Sequence, residues 1–291
     1  MLLAYHNGRT VPQADLTLSY ADAGFAAGAT VTDFCRTHGR RLFRWPAHLA
    51  RLRRDCGWLG VELTRADADL TAAADALVRH NAPLLPTAEL ALVTFCTPGP
   101  LGYLLGGADG PPTVGMHTLP LDPARYARFF DAGVTLAAVG TVPDSELWPA
   151  AVKHRSRVGW YQAGRSPGLP PGAVAALLTP AGVADTAIGS VVVVRDGAVL
   201  RPPAGTVLDS VSLGVLAEAC ARAGLGFAEQ AIDFRALVAG TEPADEVWLT
   251  GTGFGVAGVR VAQCEGRVRE WAWPGPGLGR VTAAWEVLTR E

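Results

Sequence analysis

The sequence predicts an α/β protein of two domains, each built on a mixed sheet in the α+β manner. Three observations carry this. Apolar runs of strand length alternate with stretches of helical periodicity, without a regular βαβ rhythm. The pattern halts at Leu119-Pro120-Leu121-Asp122-Pro123 and then starts afresh. With 291 residues, 49% hydrophobic and 18% charged, the chain is compact and long enough for one large core or two medium ones. The expected division is a small first domain over 1–120, a linker over 121–128 and a larger second domain over 129–291.

The elements follow in order. Leu2–Tyr5 and Arg9–Val11 flank Asn7-Gly8, a two-residue hairpin signal. A second hairpin runs from Val31–Arg36 through a His38-Gly39 turn to Arg41–Arg44. Pro46 opens a helix whose Leu49, Leu52, Cys56 and Leu59 recur at helical spacing and face the core. Arg65–His80 reads as a second helix, with Thr64 as its candidate N-cap. Leu90–Thr97 and Thr113–Thr118 read as strands. Beyond the break, Val134–Val139 is a strand and Val158–Gly164 lies in a helix. Ala173–Leu178 and Val191–Arg195 are strands, the latter turning at Asp196-Gly197. Ser210–Gly224 is a helix ended by glycine, Glu246–Thr250 a strand, and Arg280–Arg290 the last helix.

Several function classes find no support. A net charge of −2 gives no electrostatic basis for binding nucleic acid or a membrane surface, and no apolar run reaches membrane-spanning length. Arg51, Arg53 and Arg54 cluster, but three charges on a helix normally form a solvated face. The five cysteines are scattered and odd in number, which argues against a zinc site or a disulfide framework. The six histidines never fall at metal-ligand spacing, so no metal is expected. The N-terminal residues lack the pattern of a signal peptide, so a reduced, cytoplasmic location is expected. Gly253-Phe-Gly255-Val-Ala-Gly258 matches a dinucleotide fingerprint, but Val259-Arg260-Val261-Ala262 alternates like a strand and too little chain follows for a βαβ unit.

One residue stands apart by composition. Of the 25 lysine and arginine positions, Lys153 alone is lysine. Arginine carries charge equally well but does not lose its proton to attack a carbonyl, whereas a lysine amine does. A sole lysine is also what arginine-biased composition leaves by chance, so its weight depends on company. Asp185, Ser212, Thr252 and Arg51 supply it. Together they have the chemistry to hold a phosphate-bearing aldehyde: a carboxylate for a ring nitrogen, hydroxyls and amides at a helix start, and an arginine for phosphate. Taken singly, Asp185 reads as a turn residue, Ser212 as a helix cap, Thr252 as a loop hydroxyl and Arg51 as a surface charge.

In chain order, the flanking segments resemble the class IV, or fold-type IV, pyridoxal-phosphate enzymes. That group contains branched-chain and D-amino-acid aminotransferases and aminodeoxychorismate lyase. Asp22-Ala-Gly-Phe-Ala-Ala-Gly28 resembles the family's Asp-x-Gly-Phe-x-x-Gly, and His48-Leu-Ala-Arg51-Leu its His-x-x-Arg-Leu. Val152-Lys153-His-Arg-Ser-Arg157 resembles its lysine segment. Gly182 to Val191 resembles the stretch that carries the ring-nitrogen acid, and Asp209-Ser-Val211-Ser212 the Pro-Gly-Ile-Thr phosphate loop. Ala244-Asp-Glu-Val-Trp-Leu-Thr-Gly-Thr252 resembles Ala-Asp-Glu-Val-Phe-x-x-Gly-Thr, a highly specific match.

The resemblance implies a two-domain fold of the D-amino-acid-aminotransferase kind, with pyridoxal 5'-phosphate between the domains and a homodimer whose partner subunit helps close the site. It implies that Lys153 forms the Schiff base and then acts as general base, and that Asp185 pairs with the ring nitrogen. Arg51, Ser212, Thr252 and the amides of Val211 and Ser212 would hold phosphate. The implied reaction moves an amino group between an amino acid and a 2-oxo acid. Arg36, Arg155, Arg157 and the loop Thr252–Gly255 are open alternatives for the substrate carboxylate.

Departures keep two other readings in view. Lys-His-x-Ser-Arg is similar to the lyase's Lys-His-x-Asn-Arg, and Thr32 falls near the lyase threonine implicated in proton transfer, so elimination of pyruvate is the alternative. Yet Pro98–Tyr103 lacks the arginine that family members place there. Asp185 stands where the family nearly always has glutamate, which motivates the reading of a cofactor-binding protein that has lost turnover.

Overall fold

A computed structural model of the chain describes residues 1–142, 147 and 149–291. The chain divides into two compact units, one of Met1–Asp122 with Val152–Ser156, the other of Pro123–Ala151 with Arg157–Glu291. The second domain expected from the sequence was continuous from 129; by contacts, Val152–Ser156 groups with the first unit.

The first unit contains β1 (Leu3–His6), β2 (Arg9–Pro12), α1 (Ala23–Ala26), β3 (Val31–His38), β4 (Arg41–Leu42), α2 (Trp45–Trp58), α3 (Asp67–Asn81), β5 (Leu90–Thr97), α4 (Gly102–Leu105) and β6 (Thr113–Pro120). Its six strands form an antiparallel sheet in the order β2-β1-β6-β5-β3-β4. All eight residues of β5 are buried, as its unbroken apolar run requires of a central strand. Leu49, Leu52 and Cys56 of α2 and Leu70, Ala74 and Leu77 of α3 pack with Leu92, Cys96 and Met116 in one core.

The hairpins form where the turn residues place them, with two adjustments. Asn7 and Gly8 both take positive φ, as a tight hairpin demands. In the second hairpin the positive-φ pair is Gly39-Arg40, one residue later than expected, because β3 runs on to His38. α3 starts at Asp67 with Ala66 at the N-cap and no side-chain cap, so Thr64 does not cap it.

The second unit contains α5 (Ala127–Asp131), β7 (Val134–Thr141), α6 (Val158–Ala163), β8 (Val174–Leu178), β9 (Ala184–Thr186), β10 (Ser190–Arg195), β11 (Ala198–Arg201), α7 (Val211–Arg222), β12 (Gly226–Glu229), α8 (Phe234–Ala239), β13 (Glu246–Gly251), β14 (Gly255–Cys264), β15 (Arg267–Glu270) and α9 (Pro276–Arg290). The sheet runs β12-β11-β10-β13-β14-β7-β8-β9, and β9 also pairs with β10, so the path from β10 back to β9 closes on itself. β7 lies parallel to both β8 and β14, while β13 is antiparallel to β10 and β14, which makes the sheet mixed. Tyr126, Phe129 and Phe254 cluster with Val191, Leu249 and Val259 in its core.

Val259–Ala262 is strand as expected, within β14, which starts at Gly255 inside the glycine fingerprint and pairs with β13 and β7. The last helix begins at Pro276, four positions before the sequence expectation. Glu246 on β13 accepts the N–H groups of Gly277 at 2.6 Å and Leu278 at 3.2 Å, a helix-start cap supplied by a carboxylate some thirty residues away.

Candidate active site

Lys153 sits on a short segment added to the edge of β3. His154 bridges Val31, flanked by Thr32 N–H to Lys153 O at 2.9 Å and Arg155 N–H to Thr30 O at 2.8 Å. Ser156 Oγ donates to Gly28 O at 2.6 Å. Gly28 itself has φ +66°, a conformation in which a side chain is strained, so the Asp22–Gly28 motif ends at a position that suits glycine. Val152 is buried in the core of the first unit. The remaining main-chain donor, Lys153 N–H, goes to Asp55 Oδ2 at 2.9 Å. The lysine backbone is thus held at N–H and C=O, and by both flanks.

Helix α2 builds the surroundings. Residues 48, 51, 52 and 55 share one helical face, and all four are buried. Arg51 is 6% exposed, so it is not part of a solvated face. Its Nε donates to Asp33 Oδ2 at 2.8 Å and its Nη2 to Asp33 Oδ1 at 3.0 Å, a forked pair. His48 Nδ1 lies 2.6 Å from the same Oδ1. Burial alone would raise the Asp33 carboxyl, but the charges of Arg51 and His48 and their hydrogen bonds outweigh it and hold Asp33 well below the usual carboxylate range. Burial pulls His48 below its ordinary value against the opposing pull of Asp33, and the charge of Lys153 adds to the lowering. Against the ionised Asp33 carboxylate, His48 Nδ1 is the donor. Lys153 and Arg51 belong to one electrostatic neighbourhood with His48 at its centre.

Thr32 is buried too. Its Oγ1 donates to Thr94 O at 2.9 Å, a bond that a proton-carrying role would have to break.

In the second unit, the closure of the sheet gathers the other sequence-predicted residues. Asp185 on β9 lies opposite Ser190 on β10, and Ser190 lies opposite Thr250 on β13, two residues before Thr252. Asp185 Oδ1 accepts the N–H of Thr186 at 2.9 Å. Arg157 donates from Nη2 to Ala187 O at 2.6 Å; burial lowers its pKa and the nearby Asp185 charge opposes that. Ser212 stands in the first turn of α7, and its Oγ lies 3.3 Å from Thr252 Oγ1. Ser210 holds the N-cap position without a side-chain capping bond. The first amides of a helix, here those of Val211 and Ser212, have no partner within the helix. Two hydroxyls beside them make an anion-binding arrangement.

The structure thus brings Lys153, Thr32 and Arg51 together in the first unit, and Asp185, Val211, Ser212 and Thr252 to one end of the sheet in the second. Sequence reasoning passed over Asp33 and Asp55. Asp55 falls four residues after Arg51, a spacing that puts it on the same helical face, and this was the available signal. Asp33 had none, since its tie to Arg51 joins a strand to a helix. Among the described residues no group of three or more His, Cys, Asp or Glu side chains forms a metal cluster.

Comparisons with known proteins agree with this arrangement. Residues 30–262 match the class IV amino-transferase family. The chain belongs to that family. No curated protein sequence matches. Among solved structures, a hypothetical aminotransferase from Mycobacterium tuberculosis, in its apo form, superposes with a TM-score of 0.82 at 18% identity, covering 99% of this chain and 98% of that one. The branched-chain aminotransferase of the archaeon Thermoproteus uzoniensis, crystallised with norvaline, gives 0.80 at 17%, covering 99% and 95%. The branched-chain amino acid aminotransferase of Escherichia coli gives 0.80 at 19%, covering 99% and 94%. At such identities these likenesses show the fold, the fold-type IV architecture expected from the sequence.

Proposed function

We propose that this chain is a pyridoxal-phosphate-dependent aminotransferase that moves an amino group between an amino acid and a 2-oxo acid, with Lys153 as its reactive residue. One observation carries the reading of the site: the only lysine of the chain sits on a segment whose main chain is held at Lys153 N–H and C=O and at Arg155 N–H. The Mycobacterium tuberculosis aminotransferase has a PLP-bound form and a form with alpha-ketoglutarate and PMP, which supports the same cofactor and an oxo-acid substrate here.

The residues present fit that group. A partly buried hydroxyl pair at a helix start suits a phosphate, a half-buried carboxylate on β9 suits a ring nitrogen, and an amine that shares the His48 neighbourhood with Arg51 suits carbonyl chemistry. When bound, pyridoxal phosphate supplies an aldehyde for the lysine amine and a ring that stores the electron pair left by the substrate α-proton. Lys153 Nζ takes and returns that proton as general base. Ser212, Thr252 and the amides of Val211 and Ser212 bind phosphate, with Arg51 adding charge from its pair with Asp33. Asp185 would pair with the ring nitrogen, with the Arg157 charge beside it.

The lyase alternative rested on the Lys-His-x-Ser-Arg segment and on the Thr32 hydroxyl; that hydroxyl is engaged by Thr94 O, so transamination is preferred. We place the working protein in the cytoplasm as a homodimer. Five free cysteines suit a reduced compartment, and the exposed Tyr20, Phe25 and Tyr103 suit a subunit contact. No helix among the described residues is long and apolar enough to cross a membrane.

Borohydride reduction of the protein loaded with pyridoxal phosphate, followed by peptide mass spectrometry, tests the reading. The label is expected on Lys153, and Lys153→Ala should lose both the label and amino transfer with a panel of amino acids. A loaded protein with unlabelled Lys153 would overturn it.

A further inference from the structure

Asp55 is 1% exposed, and none of the chemistry above calls on it. Its carboxylate has two sets of donors. Oδ2 takes the Lys153 N–H at 2.9 Å; Oδ1 takes Arg54 Nε at 3.0 Å and Nη2 at 2.8 Å. The Arg54 side chain is 45% exposed, and an ion pair so open to water offsets little of the cost of burying a charge. Burial is accordingly the leading influence on Asp55 and raises its pKa, with the Lys153 N–H first among the opposing ones. A buried carboxyl is therefore kept one turn past Arg51, shared between an exposed arginine and the Lys153 amide.

That amide belongs to an incomplete ladder. In an antiparallel pair, the residues on either side of a non-hydrogen-bonded bridge exchange both N–H···O bonds. Around the Val31–His154 bridge, Thr32 N–H reaches Lys153 O, but Lys153 N–H goes to Asp55 instead of returning to Thr32. The pairing is half-made at both ends: Thr30 N–H turns to Gly28 O, and Lys153 N–H is taken by a side chain, Asp55.

We infer that Asp55 is a positioning residue for Lys153: by accepting that N–H it sets the direction in which the lysine side chain leaves the sheet edge. The inference rests on the assignment of Lys153 as the reactive amine. A lysine has four side-chain rotors, so the volume its Nζ sweeps is set by how firmly its Cα is held. Arg51 and Asp55 sit on adjacent turns of α2, so one rigid helix holds both the residue assigned to phosphate and the backbone of the reactive lysine.

The test compares Asp55→Ala with Asp55→Asn in the loaded enzyme. Asn keeps a carbonyl oxygen for the amide; Ala does not. Misplacing a reacting group by about 1 Å costs roughly 100-fold, so Asp55→Ala should lower kcat about 10- to 100-fold while KM for the amino acid moves less than about threefold. Asp55→Asn should recover most of the kcat. The pH midpoint of the bound cofactor's visible absorbance should shift in Asp55→Ala and stay near the wild type in Asp55→Asn. Hydrogen exchange of the wild-type protein should show the Lys153 amide protected, a readout that stands even if Asp55→Ala does not fold. Equal losses in the two variants, an unchanged kcat and midpoint in Asp55→Ala, or a freely exchanging Lys153 amide would each overturn the inference alone. A wild-type protein that is not labelled at Lys153 would remove the site assignment and this inference together.

Discussion

In the first unit Asp22, Asp33, His48, Arg51 and Asp55 are all buried; in the second, Glu246 alone among the described Asp, Glu, His, Lys and Arg side chains is. The two units also satisfy their buried carboxylates differently. Asp33 faces a guanidinium and an imidazole, whereas Glu246 faces only neutral donors, the amides of Gly277 and Leu278 and Trp248 Nε1 at 2.8 Å. The first arrangement ties ionisable side chains to one another. The second fixes a helix against a sheet and asks only for acceptors. Buried ionisable groups are thus concentrated in the first unit, around the segment that carries Lys153.

The largest effect should come from breaking the charged network. Asp33→Asn leaves Arg51 buried without its counter-ion and should destabilise the first unit by about 3–5 kcal/mol, read by denaturant unfolding and by hydrogen exchange of α2 peptides. A loss below 1 kcal/mol would show that the pair adds little. Glu246→Gln keeps one acceptor and changes no neighbouring charge, so the expected loss is smaller, about 1–3 kcal/mol. If it equals that of Asp33→Asn, the contrast between the units is wrong.

The smallest effect concerns acid. His38, His48 and His117, all in the first unit, have pKa values lowered by burial, His38 to about 4. Below pH 6.5 the unfolded chain binds protons that the folded chain refuses, so stability should fall as pH drops through 6.5, the His38 part being lost down to about 4. The Asp33 contribution has the opposite sense: depressed below 3.8, it is intact throughout that window and is lost only in stronger acid. Asp55, raised by burial, is relieved rather than harmed as it protonates. Thermal midpoints at pH 7.5 and 5 should differ less in His38→Gln than in the wild type; an equal difference would remove His38 from the account.

What could be read from the residues was what is set locally. Leu90–Thr97 is a strand to the residue because its apolar run is unbroken, and Asn7-Gly8 turns because both residues accept positive φ. What escaped was set at a distance. α9 begins at Pro276 because Glu246 caps it from another strand, and Thr64 lost its expected role because α3 started later without a side-chain cap. Lys153, Asp185, Ser212 and Thr252 were legible as chemistry, since motif order carried them. Asp33 and Asp55 were not, because their meaning lies in which partner the fold lays beside them, an arginine one helix away and a backbone amide 98 positions on.

The grouping of Val152–Ser156 with the first unit bears on how the protein can be taken apart. A fragment ending at Asp122 would look like a natural module, yet it would lack Val152 from its core and leave Thr30–Thr32, at the start of β3, without the segment that pairs there. Such a bare edge invites pairing with another chain. The lone lysine is carried by a patch that also finishes a folding unit, so recombination that swaps one half of the gene for another would have to bring five residues from the other half along.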